Sequence, residues 1–158
     1  MTARICPAAP RSRTVEGMTR TLHRPGVAAG VLLGVIGLTD LGPFSPGGPI
    51  TWLLPLVALG YLVAAHLRAE PGAGGIARSA QRRRQLAGVA LFTAVALAAL
   101  LLDPAVGQYV LAAGWAGHAA WDWAHRDGTV VPRWYVDFCL PFDLFVAASL
   151  VAAAVSMR

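Results

Sequence analysis

Long apolar runs, broken by short segments that hold almost all of the arginines, constrain this chain more than any other feature. The runs lie at about 25–41, 50–67, 86–102, 105–124 and 134–156, each 17 to 23 residues long. A helix rising 1.5 Å per residue needs about 20 apolar residues to cross roughly 30 Å of hydrocarbon. Backbone in lipid must satisfy its own hydrogen bonds, which leaves helices or closed barrels. Barrel strands are shorter and alternate in polarity; these runs do neither. The expected fold is therefore all-α, an integral membrane bundle of about five transmembrane helices, or four if the first run does not span. Composition agrees. Only 13% of residues are charged and the mean hydropathy is +0.58, whereas about a quarter of the residues of a soluble domain are charged.

The breaks between runs set orientation. All 13 basic residues are arginines. Twelve fall in the leading tail (Arg4, Arg11, Arg13, Arg20, Arg24), in 68–85 (Arg68, Arg78, Arg82, Arg83, Arg84) and in 125–133 (Arg126, Arg133), leaving Arg158 alone. With five spans, these three segments share one side. Arginine-rich short loops stay cytoplasmic, so the expectation is N-in, C-out, multi-pass, in the cell (inner or plasma) membrane. Segment 68–85 reads as a loop from Pro71, Gly72, Gly74 and Gly75. Asp103-Pro104 ends the third run, because proline lacks an amide hydrogen and disfavours helix in the residue before it. Trp52 and Tyr61 read as interfacial anchors of the second run.

Residues 1–24 are polar and irregular, a flexible basic tail, and Met18 just ahead of the first run is an alternative start. The first run has the length of a signal-peptide core, but no small-x-small cleavage site follows it, so it reads as a retained span. Gly30 and Gly34 form a small-xxx-small pair. Cys6 and Cys139 lie in different contexts without CxxC spacing, so no disulfide framework is expected.

The last two runs carry polar residues that lipid does not tolerate unpaired. The fourth holds His118, Asp122 and His125 within H-A-A-W-D-W-A-H; the fifth holds Tyr135, Asp137, Cys139 and Asp143, with Pro141 between the aspartates. At 100° per residue, His118 differs from Asp122 by about 40° and from His125 by about 20°, so the three share a helical face. His118 lies about 10 Å from the inner end of its helix and Asp143 about 13 Å from the start of the next, similar depths on antiparallel neighbours. The expected polar cluster is His118, Asp122, His125, Asp137 and Asp143 in the cytoplasmic leaflet, with His66 within reach. An intramembrane aspartate costs about 2.5–3.5 kcal/mol on insertion scales and marks a functional hypothesis.

Three chemistries fit these residue types. Hydrogen-bonded pairs, His118–Asp143 and Asp122 with His125 or Arg126, would lock the hairpin and make the protein structural or partner-binding. As a metal site, His118, Asp122, His125 and Asp143 offer a donor set suited to Zn or Fe, as in a membrane-embedded enzyme acting on a lipid-type substrate. A chain of histidines and carboxylates also suits a proton- or ion-coupled carrier.

The segment Gly114–Asp143, with H-x-x-W-D-x-x-H-R and V-P-R-W-Y-x-x-F-C-x-x-x-D, resembles small bacterial multi-pass membrane proteins of unassigned function. That resemblance implies a membrane fold and no particular activity. Multi-pass zinc hydrolases of the ceramidase and adiponectin-receptor type also use intramembrane histidines and aspartates, but with more spans, different spacing and a serine-bearing pattern this chain lacks. No P-loop, G-x-S-x-G or C-x-x-C-H motif occurs. The expected partners are the lipid bilayer and other membrane proteins or a second copy, and not nucleic acid, because the arginines punctuate apolar runs instead of forming a stripe.

Overall fold

The structure, a computed structural model, describes residues 25–33, 47–68 and 75–157, and its regular structure is helical throughout these segments. In chain order the helices are α1 (described over 25–33), α2 (Pro49–Leu67), α3 (Gly75–Leu101), α4 (Pro104–Ala124) and α5 (Arg133–Ser156). The tail 1–24, Met18, Cys6, Gly34 and the end of the first run lie outside the described residues.

Local chemistry accounts for the helix starts. Pro49 and Pro104 occupy first-turn positions, where a missing amide hydrogen is no loss. Asp103 caps α4 by accepting from the Ala105 amide at 3.0 Å. Gly128, at φ +81°, supplies the left-handed turn between α4 and α5.

One boundary departs from expectation. Helix α3 begins at Gly75, about ten residues before its apolar run, so Arg82, Arg83 and Arg84 sit on helix and not in a loop. The segment Ile76–Gln85 holds no glycine or proline. Its arginines, glutamines and alanines are good helix formers that lose little side-chain entropy, and the glycine signals stop at Gly75 itself.

Helix α4 packs most extensively on α5, then on α3, and touches α2, while α2 packs along α3. The core joins Leu54 and Ala58 of α2, Phe92 and Ala99 of α3, Leu111 and Trp115 of α4, and Val146 and Leu150 of α5. Gly114 brings α4 close to both neighbours: a Cβ there would lie 2.6 Å from Val95 Cγ1 and 2.8 Å from Leu54 Cδ2. Helix α1 lies on α5 through Gly26 and Gly30. A Cβ on Gly30 would collide with the Phe138 carbonyl oxygen, so among the described residues Gly26 and Gly30 are the close-packing glycines, and α1 runs parallel to α5.

The helices alternate in direction. The end of α2 meets the α4–α5 turn where Arg68 Nη1 donates to the Gly128 carbonyl at 3.5 Å. The start of α3 meets the end of α4 where the Arg84 guanidinium lies 5.5 Å from the Trp121 ring. Arg68, Arg78, Arg82, Arg83, Arg84, Arg126 and Arg133, all the arginines among the described residues, therefore gather at one end. The flanks are apolar: Leu56, Leu91, Leu97, Leu144 and Val155 are exposed. Three helical segments, Pro49–Leu67, Arg78–Leu101 and Arg133–Ser156, are long and apolar enough to cross a membrane. Helix α4 is not among them, because Gln108, His118 and Asp122 lower its hydropathy.

Candidate functional site

The arginine-rich half of the bundle encloses a polar cluster built from three helices. His118 and Asp122 lie one turn apart on the buried face of α4, and Asp143 reaches them from α5. All three are at most 1% exposed. His118 Nδ1 lies 2.8 Å from Asp143 Oδ2 and 3.6 Å from Asp122 Oδ1. From α2, the fully buried Tyr61 hydroxyl donates to Asp122 Oδ1 at 2.6 Å. The His118 ring is walled by Phe92, Tyr61 and Trp115, with ring centroids 5.0, 5.9 and 6.4 Å away. Asp122 Oδ2 and His118 Nε2 are buried without a hydrogen-bond partner.

The convergence expected of His118, Asp122 and Asp143 is present: one donor atom from each lies within 4.8 Å of the others. His125 shares their face but stands apart. Its Nδ1 is 2.8 Å from the Trp121 carbonyl, which can only accept, so Nδ1 carries the proton. Its Nε2 is 3.0 Å from Gln85 Nε2 of α3. Burial holds the His125 pKa below its ordinary value, and the two contacts suit the neutral ring. Asp122 pairs with Tyr61 and not with His125 or Arg126.

Asp137 is half-buried outside the cluster. With Ala124, Arg126, Asp127, Arg133 and Val136 it lines a cavity of about 620 Å3 beside the α4–α5 turn. Arg126 lies over the Trp123 ring at 4.1 Å. Asp127 accepts from the Thr129 amide and hydroxyl, which holds its carboxyl below the ordinary range. His66 is exposed in the last turn of α2, away from the cluster.

Two members escape sequence reasoning. Tyr61, expected at the membrane interface, is a core residue, and Gln85, expected in a loop, is buried and bonded. For Tyr61 a signal exists: with Leu54 and Ala58 it falls on one helical stripe, the buried side of α2. Gln85 lies on the stripe of Gly88, Phe92, Ala96 and Ala99, a face that includes it only because α3 begins well before its apolar run.

Chemically, the cluster places two carboxyls and an imidazole in a dry aromatic enclosure. Two uncompensated carboxylates are prohibitively costly there, so the group must hold either protons or a cation. Comparison with known proteins finds no matching family, no similar curated protein and no similar solved structure, so the reading rests on these residues alone.

Proposed function

We propose that the chain is a multi-pass integral membrane protein of the cell membrane, with five spans, N-in and C-out, whose His118–Asp122–Asp143–Tyr61 cluster is a closed latch between helices. Its role is that of a structural or partner-binding membrane component. One observation carries the orientation: seven arginines from two chain segments gather at one end of a bundle whose flanks expose leucine and valine. Exposed apolar residues on helices long enough to cross a bilayer belong against lipid, and arginine at one end is the positive-inside pattern. In this arrangement α4 crosses as the polar axis of the bundle, packed against α2, α3 and α5.

The latch reading rests on closure. The four side chains are at most 1% exposed, and the cavity beside the α4–α5 turn is lined by other residues. The hydrogen bonds from Tyr61 and Asp143 tie α2 and α5 to α4, which is what a latch requires. Reporter fusions at Ser79 and Arg158 test the topology: the first should report the cytoplasm and the second the opposite side. Cytoplasmic signals from both ends of α5 would refute it.

A further inference from the structure

We propose that His118, Asp122 and Asp143 bind one divalent transition-metal ion of the zinc class, with Tyr61 fixing the orientation of Asp122. Donor spacing comes first. Ligand atoms about 2.0–2.1 Å from one tetrahedral ion lie about 3.3 Å apart. The observed separations from His118 Nδ1, 2.8 Å to Asp143 Oδ2 and 3.6 Å to Asp122 Oδ1, bracket that value. The third separation, between the two carboxylates, is within 4.8 Å, so side-chain adjustment closes the geometry.

The second observation is independent of spacing. Asp122 is fully buried, yet its Oδ2 has no hydrogen-bond partner. A native interior leaves few such atoms unexplained. A cation accounts for it when Asp122 ligates through both oxygens, and the imidazole coordinates through Nδ1 while its proton moves to Nε2. Charge closes the argument, because two carboxylates and one divalent ion sum to zero in an enclosure that tolerates no net charge. Protons held on the carboxyls leave to solvent as the ion enters.

The donor set selects the ion. Two carboxylates and one imidazole offer too few oxygens for calcium, and magnesium keeps most of its water; zinc takes such mixed N/O sets, with the second Asp122 oxygen in the fourth position. Tyr61, donating to Asp122 Oδ1 from α2, is the kind of outer contact that orients a ligating carboxylate. The inference builds on the latch reading, with the ion as its pin, and does not depend on membrane topology.

The test uses the full chain in detergent, stripped with EDTA and re-equilibrated with zinc sulfate, then with cobalt(II) chloride. Expected are one zinc per chain retained through gel filtration, and the visible bands of tetrahedral cobalt on the wild-type protein. His118→Gln and Asp143→Asn should lose the metal. Tyr61→Phe should keep the stoichiometry with about 10–100-fold weaker binding. Wild-type protein that is helical and monodisperse, yet retains less than about a tenth of an equivalent of zinc and shows no cobalt bands, overturns the proposal; so does full retention by both ligand variants. The cobalt spectrum needs no variant, so misfolding of a mutant does not blur the result. A metallated protein with the wrong reporter pattern would refute the topology alone; the expected pattern without metal would refute the metal site alone.

Discussion

Replacing His118 by leucine isolates what the latch contributes, because the consequences for its two neighbours differ. His118 is the imidazole between Asp143 at 2.8 Å and Asp122 at 3.6 Å. Its loss leaves two buried carboxyls without their base, and Asp143, 1% exposed, cannot recover water. Breaking a buried pair from one side costs about 3–5 kcal/mol, whereas interhelical hydrogen bonds in membranes average only about 0.6 and reach about 1.7 kcal/mol. The first figure applies to His118→Leu, because an orphaned group remains. The second applies to Asp143→Leu, because His118 can turn to Asp122. His118→Leu with Asp143→Leu leaves Asp122 on Tyr61 and should cost less than His118→Leu alone, since removing both partners spares the penalty of an unpaired group. Reversible unfolding in mixed micelles with EDTA, followed by circular dichroism at pH 7, measures all three. Single-variant costs that simply add in the double variant, or a His118→Leu cost below about 1 kcal/mol, would show that the pair does not act as a latch.

Three further outcomes are expected. Gly114→Val should destabilise by about 1–3 kcal/mol in the same unfolding assay, since the new side chain meets Val95 and Leu54 in a packed core. Gly30→Ala should cost a similar amount by prying α1 from the Phe138 carbonyl, while Ala29→Val, on the exposed side of α1, should stay within about 0.5 kcal/mol of the parent. His125 favours its neutral form in the fold, so the contact with Gln85 contributes fully above pH 6.5 and weakens as pH falls below that value; melting temperatures from pH 7.5 to 5.5 should drop more for the wild type than for His125→Gln.

Much of the site was legible because helical geometry is regular. The 40° offset of His118 and Asp122, and the matched depths of His118 and Asp143, follow from rise and twist alone. Facing is not proximity, however. His125 shares the angular position of His118 but sits about 10 Å further along the axis, where Gln85 and the Trp121 carbonyl receive it. Tyr61 was misplaced because a tyrosine near a helix end suits an aromatic belt as well as a core, and only the partner across the bundle decides. The start of α3 was misplaced because charge looks like loop, although arginine is a good helix former. The three apolar helices followed directly from hydropathy; α4 did not separate as cleanly, because the residues that make it interesting also dilute its apolar character.

That dilution has a consequence in time. On the proposed topology, α4 enters the membrane carrying Asp122 and His118, a load that insertion scales penalise by about 2.5–3.5 kcal/mol for the aspartate alone. Its Tyr61 partner has already been made, but Asp143 lies 21 residues further along the chain. At about 5–20 residues per second, that residue emerges about one to four seconds later. During this interval His118 has only Asp122 of its own helix, 3.6 Å away, and α4 has no α5 to lean on. The fourth and fifth helices are then best regarded as a single unit of biogenesis, delivered to lipid as a hairpin, with the translocation machinery retaining the first half until the second arrives.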